Sequence, residues 1–154
     1  MSLQSVKAWF AAHAPDIPVL ESTKSSATVA LAAEAYGVPP DRIAKTLSLR
    51  VGDRIVLVVM AGLARLDNRK AKAAFGGKPR MLGPEEVAAI TGHEVGGVCP
   101  FGLASPLPIY CDQSLRAYDE VVPAAGSTHS AVRIAPERMA ALTAAEWVDV
   151  AQQG

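Results

Sequence analysis

Apolar side chains recur at three- and four-residue steps from Ser2 to His13, where Leu3, Val6, Trp9 and Phe10 share one helical face behind a Ser2 cap and Pro15 ends the run. After a short extended piece, Ile17-Pro18-Val19-Leu20, an alanine-rich stretch from Ser25 to Tyr36 predicts a second helix, closed by Gly37 with Pro39-Pro40 behind it. Asp41 is placed to cap a short turn. The period then changes to two. Ile43 to Val51 and Arg54 to Met60 are β-rich runs separated by Gly52-Asp53, which predicts a hairpin. Helical spacing returns in Asn68 to Phe75, with Asp67 as its cap, and again from Pro84 to about Thr91. Beyond a glycine-rich run, Leu107 to Cys111, Asp119 to Pro123 and Ala131 to Ile134 read as strands, and Pro136 begins a last helix. No repeat or break in pattern divides the chain, so residues 1–154 are expected to form one α+β domain. Its sheet should be mixed, largely antiparallel and flanked by helices.

Composition narrows this picture without overturning it. Half of the 154 residues are hydrophobic and few are aromatic, which suits a single aliphatic core. Lys+Arg and Asp+Glu both number 15, so nothing global attracts a polyanion and any nucleic-acid contact must come from a local patch. One such patch exists: Arg65, Arg69, Lys70, Lys72, Lys78 and Arg80 stand against the single acid Asp67. A solvated helix face explains such a run, and so does a phosphate-binding stripe; without interleaved aromatics, base stacking is not its main contact. The start of the chain lacks a basic segment followed by an apolar one, and no apolar run approaches the roughly 20 residues that span a bilayer. A cytoplasmic protein without a membrane partner is expected. Cys99 and Cys111 have no paired CxxC spacing and should be free thiols, while His13, His93 and His129 lack metal-ligand spacing, so no metal or other cofactor is anticipated.

Two features invite chemistry. Gly96-Gly97-Val98-Cys99-Pro100-Phe101-Gly102 is a rigid, bare loop whose backbone N–H groups suit an anionic or carbonyl oxygen, although a tight connection needs the same residues. Lys45 falls on the face of its strand shared by Ile43, Leu47 and Leu49, an unusual place for an ammonium. There it either snorkels to water or meets an anionic or carbonyl group at the rim of an apolar pocket.

Taken in order, Ser22-Thr23-Lys24-Ser25-Ser26-Ala27-Thr28, Ile43-Ala44-Lys45-Thr46-Leu47, Asp67 before a basic helix, and Gly92 through Gly102 resemble the YbaK family, the free-standing proteins similar to the editing domain of bacterial prolyl-tRNA synthetases. The resemblance continues through Pro108-Ile109-Tyr110, Ala125-Gly126-Ser127 and Ile134-Ala135-Pro136-Glu137. It implies a trans-editing aminoacyl-tRNA deacylase that hydrolyses the ester of a small, wrongly attached amino acid. The family's lysine falls on Lys45 and its glycine loop on Gly96, Gly97 and Val98, the implied catalytic groups; Ser22, Thr23, Cys99, Pro100, Gly126, Ser127 and His129 are the implied substrate-binding positions. No GxSxG elbow is present, so water is the expected nucleophile, and Cys99 has no evident base beside it. The acceptor end of an aminoacyl-tRNA, and secondarily a synthetase, are the implied partners, met by the basic stripe. In cysteine-removing members an aspartate stands where this chain has Ala131, which argues against cysteine as the substrate. A binding module without catalysis and a hydrolase of small esters are the rival readings.

Overall fold

The computed structural model describes residues 2–152. Helix α1 (Ser2–His13) leads through β1 (Leu20–Glu21) to α2 (Val29–Tyr36). That helix begins later than its alanine content predicts, because Thr28 Oγ1 accepts the Leu31 N–H at 3.2 Å and so caps the helix, leaving Ser25–Ala27 as loop. A single 3₁₀ turn, Pro40–Arg42, delivers the chain into β2 (Ile43–Val51), which returns as β3 (Arg54–Ala61). These two form the expected antiparallel hairpin, in register from Val51↔Arg54 to Ala44↔Ala61. Next come α3 (Asn68–Phe75), capped by Asp67, β4 (Arg80–Met81) and α4 (Pro84–Thr91). After the glycine loop follow β5 (Ile109–Asp112), β6 (Val122–Pro123), β7 (Ser130–Ala131), α5 (Pro136–Thr143) and β8 (Glu146–Val148).

The strands make a mixed sheet in the order β4-β2-β3-β5-β8, with β6 also paired to β2. The long β2–β3 ladder and the short β2–β4 ladder are antiparallel; β6 on β2, β5 on β3 and β8 on β5 are parallel. Strands β1 and β7 form a separate antiparallel pair. The two predicted late strands shrink to β6 and β7 plus the isolated bridges Val121↔Ile134 and Ala124↔Ala131.

Helices cover both faces of the sheet. On one, Val6 and Phe10 of α1 and Met139 of α5 bury Ala44, Val59 and Cys111. On the other, Ala71 and Phe75 of α3 pack on Leu49, Val56, Val58 and Met60, while Ala32 and Ala33 of α2 cover Ile43 and Val122. Each fully buried valine or leucine contributes roughly 1.5–3 kcal/mol, so the hairpin's buried apolar residues, which on β3 face both sides of the sheet, anchor the domain.

Both β6 and β4 lie along the same edge of β2, the first at Ile43–Ala44 and the second at Leu49–Arg50. Between them, Lys45 to Ser48 carry no strand on that side among the described residues. The sheet is split open there.

Candidate active site

The split is the floor of a cavity of about 300 Å³. The cavity is lined by Val29 and Ala32 of α2, by Gly96 and Val98 of the glycine loop, and by Leu82 and Val87, which follow β4 in the chain. Leu82 N–H donates to the Ser48 carbonyl at 3.1 Å, so the backbone of Ser48 faces this edge, and the two-residue period turns that of Thr46 the same way. The polar side chains on the cavity wall are Ser26, Thr28, Lys45, Thr46, Ser48 and Ser130, and no carboxylate is among the described lining residues. Thr46 Oγ1 is buried without a hydrogen-bond partner among the described residues. Buried hydroxyls are ordinarily paired, so this atom has hydrogen-bonding capacity to offer.

Lys45 is where its spacing put it, opposite Met60 in the hairpin and on the face of Leu47 and Leu49. Its Nζ donates to the Gly62 carbonyl at 3.1 Å and to the Ala64 carbonyl, both in the turn that follows β3. An ammonium has three N–H bonds, so one remains for a ligand. Burial pushes this ammonium below the usual lysine range; Asp41 opposes that shift and Arg65 adds to it.

The glycine loop divides into parts that face the cavity and parts that face the protein. Gly96 and Val98 face the cavity. Gly97 is buried against the late loop: its N–H donates to the Glu94 carbonyl at 2.9 Å, its carbonyl accepts from Gly126 N–H at 3.0 Å, and a Cβ on it would lie 2.6 Å from Ser127 N. Glycine is needed here for loop-on-loop packing, and the Gly97 N–H already has its acceptor. Cys99 and Pro100 are buried behind the loop and do not line the cavity.

Behind it lies a network that the spacing of histidines did not suggest. His93 is fully buried, with Nε2 2.7 Å from the Phe101 carbonyl and Nδ1 2.7 Å from Ser2 Oγ, and the Ser2 hydroxyl also reaches the Gly126 carbonyl. The network ties the start of α1 to both loops. Cys99 Sγ is 3.6 Å from His93 Nε2, which resembles a nucleophile–base pair. Burial denies it that role, pushing the thiol up to about 12 and the imidazole down, so both are held neutral.

The remaining predicted positions frame the cavity from behind. Ser22 N–H donates to the His129 carbonyl at 2.8 Å and Ser26 Oγ to the Thr128 carbonyl at 3.0 Å, joining the early loop to the late one. Ser127 Oγ lies 2.6 Å from Ser130 Oγ, so it supports a residue of the cavity wall. Thr23 and His129 are exposed, His129 Nδ1 sitting 2.9 Å from Thr128 Oγ1, and Gly126 is buried beside Ser2. Of the basic stripe, Arg65, Arg69, Lys72, Lys78 and Arg80 are exposed, whereas Lys70 donates to Asp149 at 3.1 Å and to the Ala151 carbonyl at 2.9 Å. Among the described residues no group of three His, Cys, Asp or Glu converges as a metal site, and no helix is long and apolar enough to cross a membrane.

An α+β domain whose split sheet edge holds a lysine near a glycine loop defines a small-ligand site lined mainly by apolar side chains, with hydroxyls and one lysine among them. The chain belongs to the aminoacyl-tRNA editing domain family, whose model matches residues 23–142. It is 47% identical to "Uncharacterized protein YwhH" of Bacillus subtilis, with 97% of each chain covered. It is 32% identical to "Putative Cys-tRNA(Pro)/Cys-tRNA(Cys) deacylase EbsC" of Enterococcus faecalis over 77% of this chain and 73% of that one. A match at 33% identity to a proline–tRNA ligase of Shouchella clausii takes in 86% of this chain but 24% of the ligase. Among solved structures, "a putative trans-editing enzyme for prolyl tRNA synthetase" superposes with a TM-score of 0.91 at 34% identity, covering 99% of this chain and 98% of the other.

Proposed function

We propose that this protein is a trans-editing deacylase that hydrolyses the ester between a small, uncharged amino acid and the terminal adenosine of a tRNA, with water as the nucleophile. The observation that carries the reading is the Lys45 ammonium, held by two carbonyls at the wall of a cavity otherwise lined by small apolar side chains and hydroxyls. The third N–H of Lys45 grips the ester carbonyl or the terminal phosphate. Gly96 and Val98 line the same cavity, where loop N–H groups other than that of Gly97 stabilise the oxyanion that forms when water adds. The resulting tetrahedral carbon expels the ribose oxygen, which takes a proton, and a free amino acid leaves.

The lining supports the choice of side chain. With no carboxylate among the described residues of the wall, a cationic side chain finds no partner there, and a volume of about 300 Å³ is at the lower limit for ligand sites. Ala131, buried at the wall, offers no acid to a cysteine thiol. The exposed cations Arg65, Arg69, Lys72, Lys78 and Arg80 are the proposed tRNA contact, with aminoacyl-tRNA as the partner and a cytoplasmic setting to match.

A panel of tRNAs mischarged with alanine, serine, threonine, cysteine and lysine tests this reading. Release of a small neutral amino acid is expected, with Lys45→Ala slower by on the order of a hundredfold or more. A folded Lys45→Ala protein with unchanged rate overturns the assignment. Binding of charged tRNA without release identifies a recognition module instead.

A further inference from the structure

Lys45 owes its place to a turn rather than to its own strand. The two carbonyls that hold its Nζ belong to Gly62 and Ala64, so the ammonium goes where that turn goes. One residue holds the turn from below. Asp41 Oδ1 accepts the Leu63 N–H at 3.0 Å, and the Asp41 carbonyl accepts the Gly62 N–H at 3.4 Å. Asp41 Oδ2 in turn accepts the Tyr118 hydroxyl at 2.7 Å, which fixes the carboxylate's orientation. There is no slack in this arrangement: a Cβ on Gly62 would lie 2.0 Å from the Pro40 carbonyl oxygen and 2.8 Å from Val29 Cγ1. The chain Tyr118–Asp41–turn–Lys45 therefore links residues from three separate parts of the sequence, and it ends at the cavity wall.

We infer that Asp41, oriented by Tyr118, is the positioning residue that sets Lys45 for catalysis through the Gly62–Ala64 turn. The inference rests on the deacylase reading for its consequence in rate, but not for its consequence in geometry. Asp41 is not among the residues that line the cavity. It acts on Lys45 in two ways. It fixes the carbonyls that orient the ammonium, and its negative charge favours the protonated form against burial and against Arg65. Arg42 and Asp119 behind it are paired with each other at 3.7 Å, and Arg42 stacks over the Tyr118 ring at 5.4 Å, so Asp41 is the carboxylate that acts on Lys45. No acidic side chain is among the described residues that line the cavity.

The test uses Asp41→Asn, Asp41→Ala and Tyr118→Phe in the full chain, read by proton titration of isotopically labelled lysine side chains in NMR and by deacylation kinetics across pH. Asp41→Asn keeps an oxygen to accept from Leu63 N–H and removes the charge, so the Lys45 titration midpoint should fall below that of the unaltered protein. The loss of deacylation at high pH should move down with it, because the cationic form is the one that grips the ester. Asp41→Ala loses the anchor as well, and kcat should drop on the order of tenfold to a hundredfold at all pH values, with KM for tRNA unchanged. Tyr118→Phe, which deletes one hydroxyl and leaves the carboxylate charge in place, should lower kcat in smaller measure with little movement of the Lys45 midpoint, and serves if Asp41→Ala does not fold. An unmoved Lys45 midpoint and pH profile in folded Asp41→Asn, together with unmoved kcat in folded Tyr118→Phe, overturns the inference. A shifted midpoint in a protein that releases no amino acid from any charged tRNA supports the positioning role and refutes the deacylase reading, so the two failures are distinct.

Discussion

Cys99 and His93 look reactive and are built to be inert. Both are fully buried, the His93 ring is occupied at each nitrogen, and the thiol is pushed up to about 12. With water as the nucleophile, Cys99→Ser should retain deacylation within a few-fold; an inactive but folded Cys99→Ser protein would require a cysteine-centred mechanism. His93 has a further, measurable consequence. Burial lowers its pKa from 6.5, so the folded state disfavours the proton that the unfolded chain takes up readily. The stability it contributes is present in full above pH 6.5 and is lost as pH falls through the lower folded value. Urea unfolding of the unaltered protein should therefore weaken between pH 7 and pH 5, while His93→Gln, which cannot titrate, should show a flatter profile over that window. At this scale the legible residue was Lys45, because a strand's period assigns a face regardless of tertiary context. Ser26, Thr46 and Ser130 were not legible as site residues: hydroxyls are spread along the chain, and only folding brings these three to one cavity.

Between elements, the controlling contact is that of the glycine loop with the late loop. A side chain on Gly97 meets backbone, 2.6 Å from Ser127 N and 2.8 Å from the Gly126 carbonyl carbon, and backbone cannot step aside as a flexible side chain can. Gly97→Val should thus part the two loops, costing about 1–3 kcal/mol or more in stability and most of the activity. Thermal unfolding separates this from simple crowding of a ligand, which would spare the melting temperature. The residues around this loop declared its rigidity in the sequence, but not its partner, since Gly97 and Gly126 approach only in the folded chain. The same limit explains the strands. The β2–β3 hairpin showed through because two long β-rich runs meet at a short turn, whereas β4 and β8 span two or three residues each and carry no period at all. The beginning of α2 was displaced for a local reason: alanine content marks a helix, but the Thr28 side chain decides where it starts.

Across the whole molecule, charges cancel at 15 of each sign, so attraction for tRNA has to be regional rather than global. Six cations cluster in the sequence from Arg65 to Arg80, and the fold separates them into two kinds. Lys70 is a structural tie, binding α3 to Asp149 and Ala151 near the end of the chain. Arg69 and Lys72 are exposed on the same helix, and Arg65 directly follows Ala64, whose carbonyl accepts from Lys45, so this stretch leads from the helix toward the cavity wall. If phosphates follow that path, Arg69→Glu with Lys72→Glu should raise KM for aminoacyl-tRNA while leaving kcat near its original value. The dependence of binding on salt should also flatten, by about 0.7–0.9 in log–log slope for each phosphate that the protein no longer neutralises. Lys70→Ala should do the reverse, lowering the melting temperature with little change in salt slope, because its ammonium is already committed to the protein. An unchanged slope in the double glutamate variant would assign the stripe to solvation and move the tRNA path to another face.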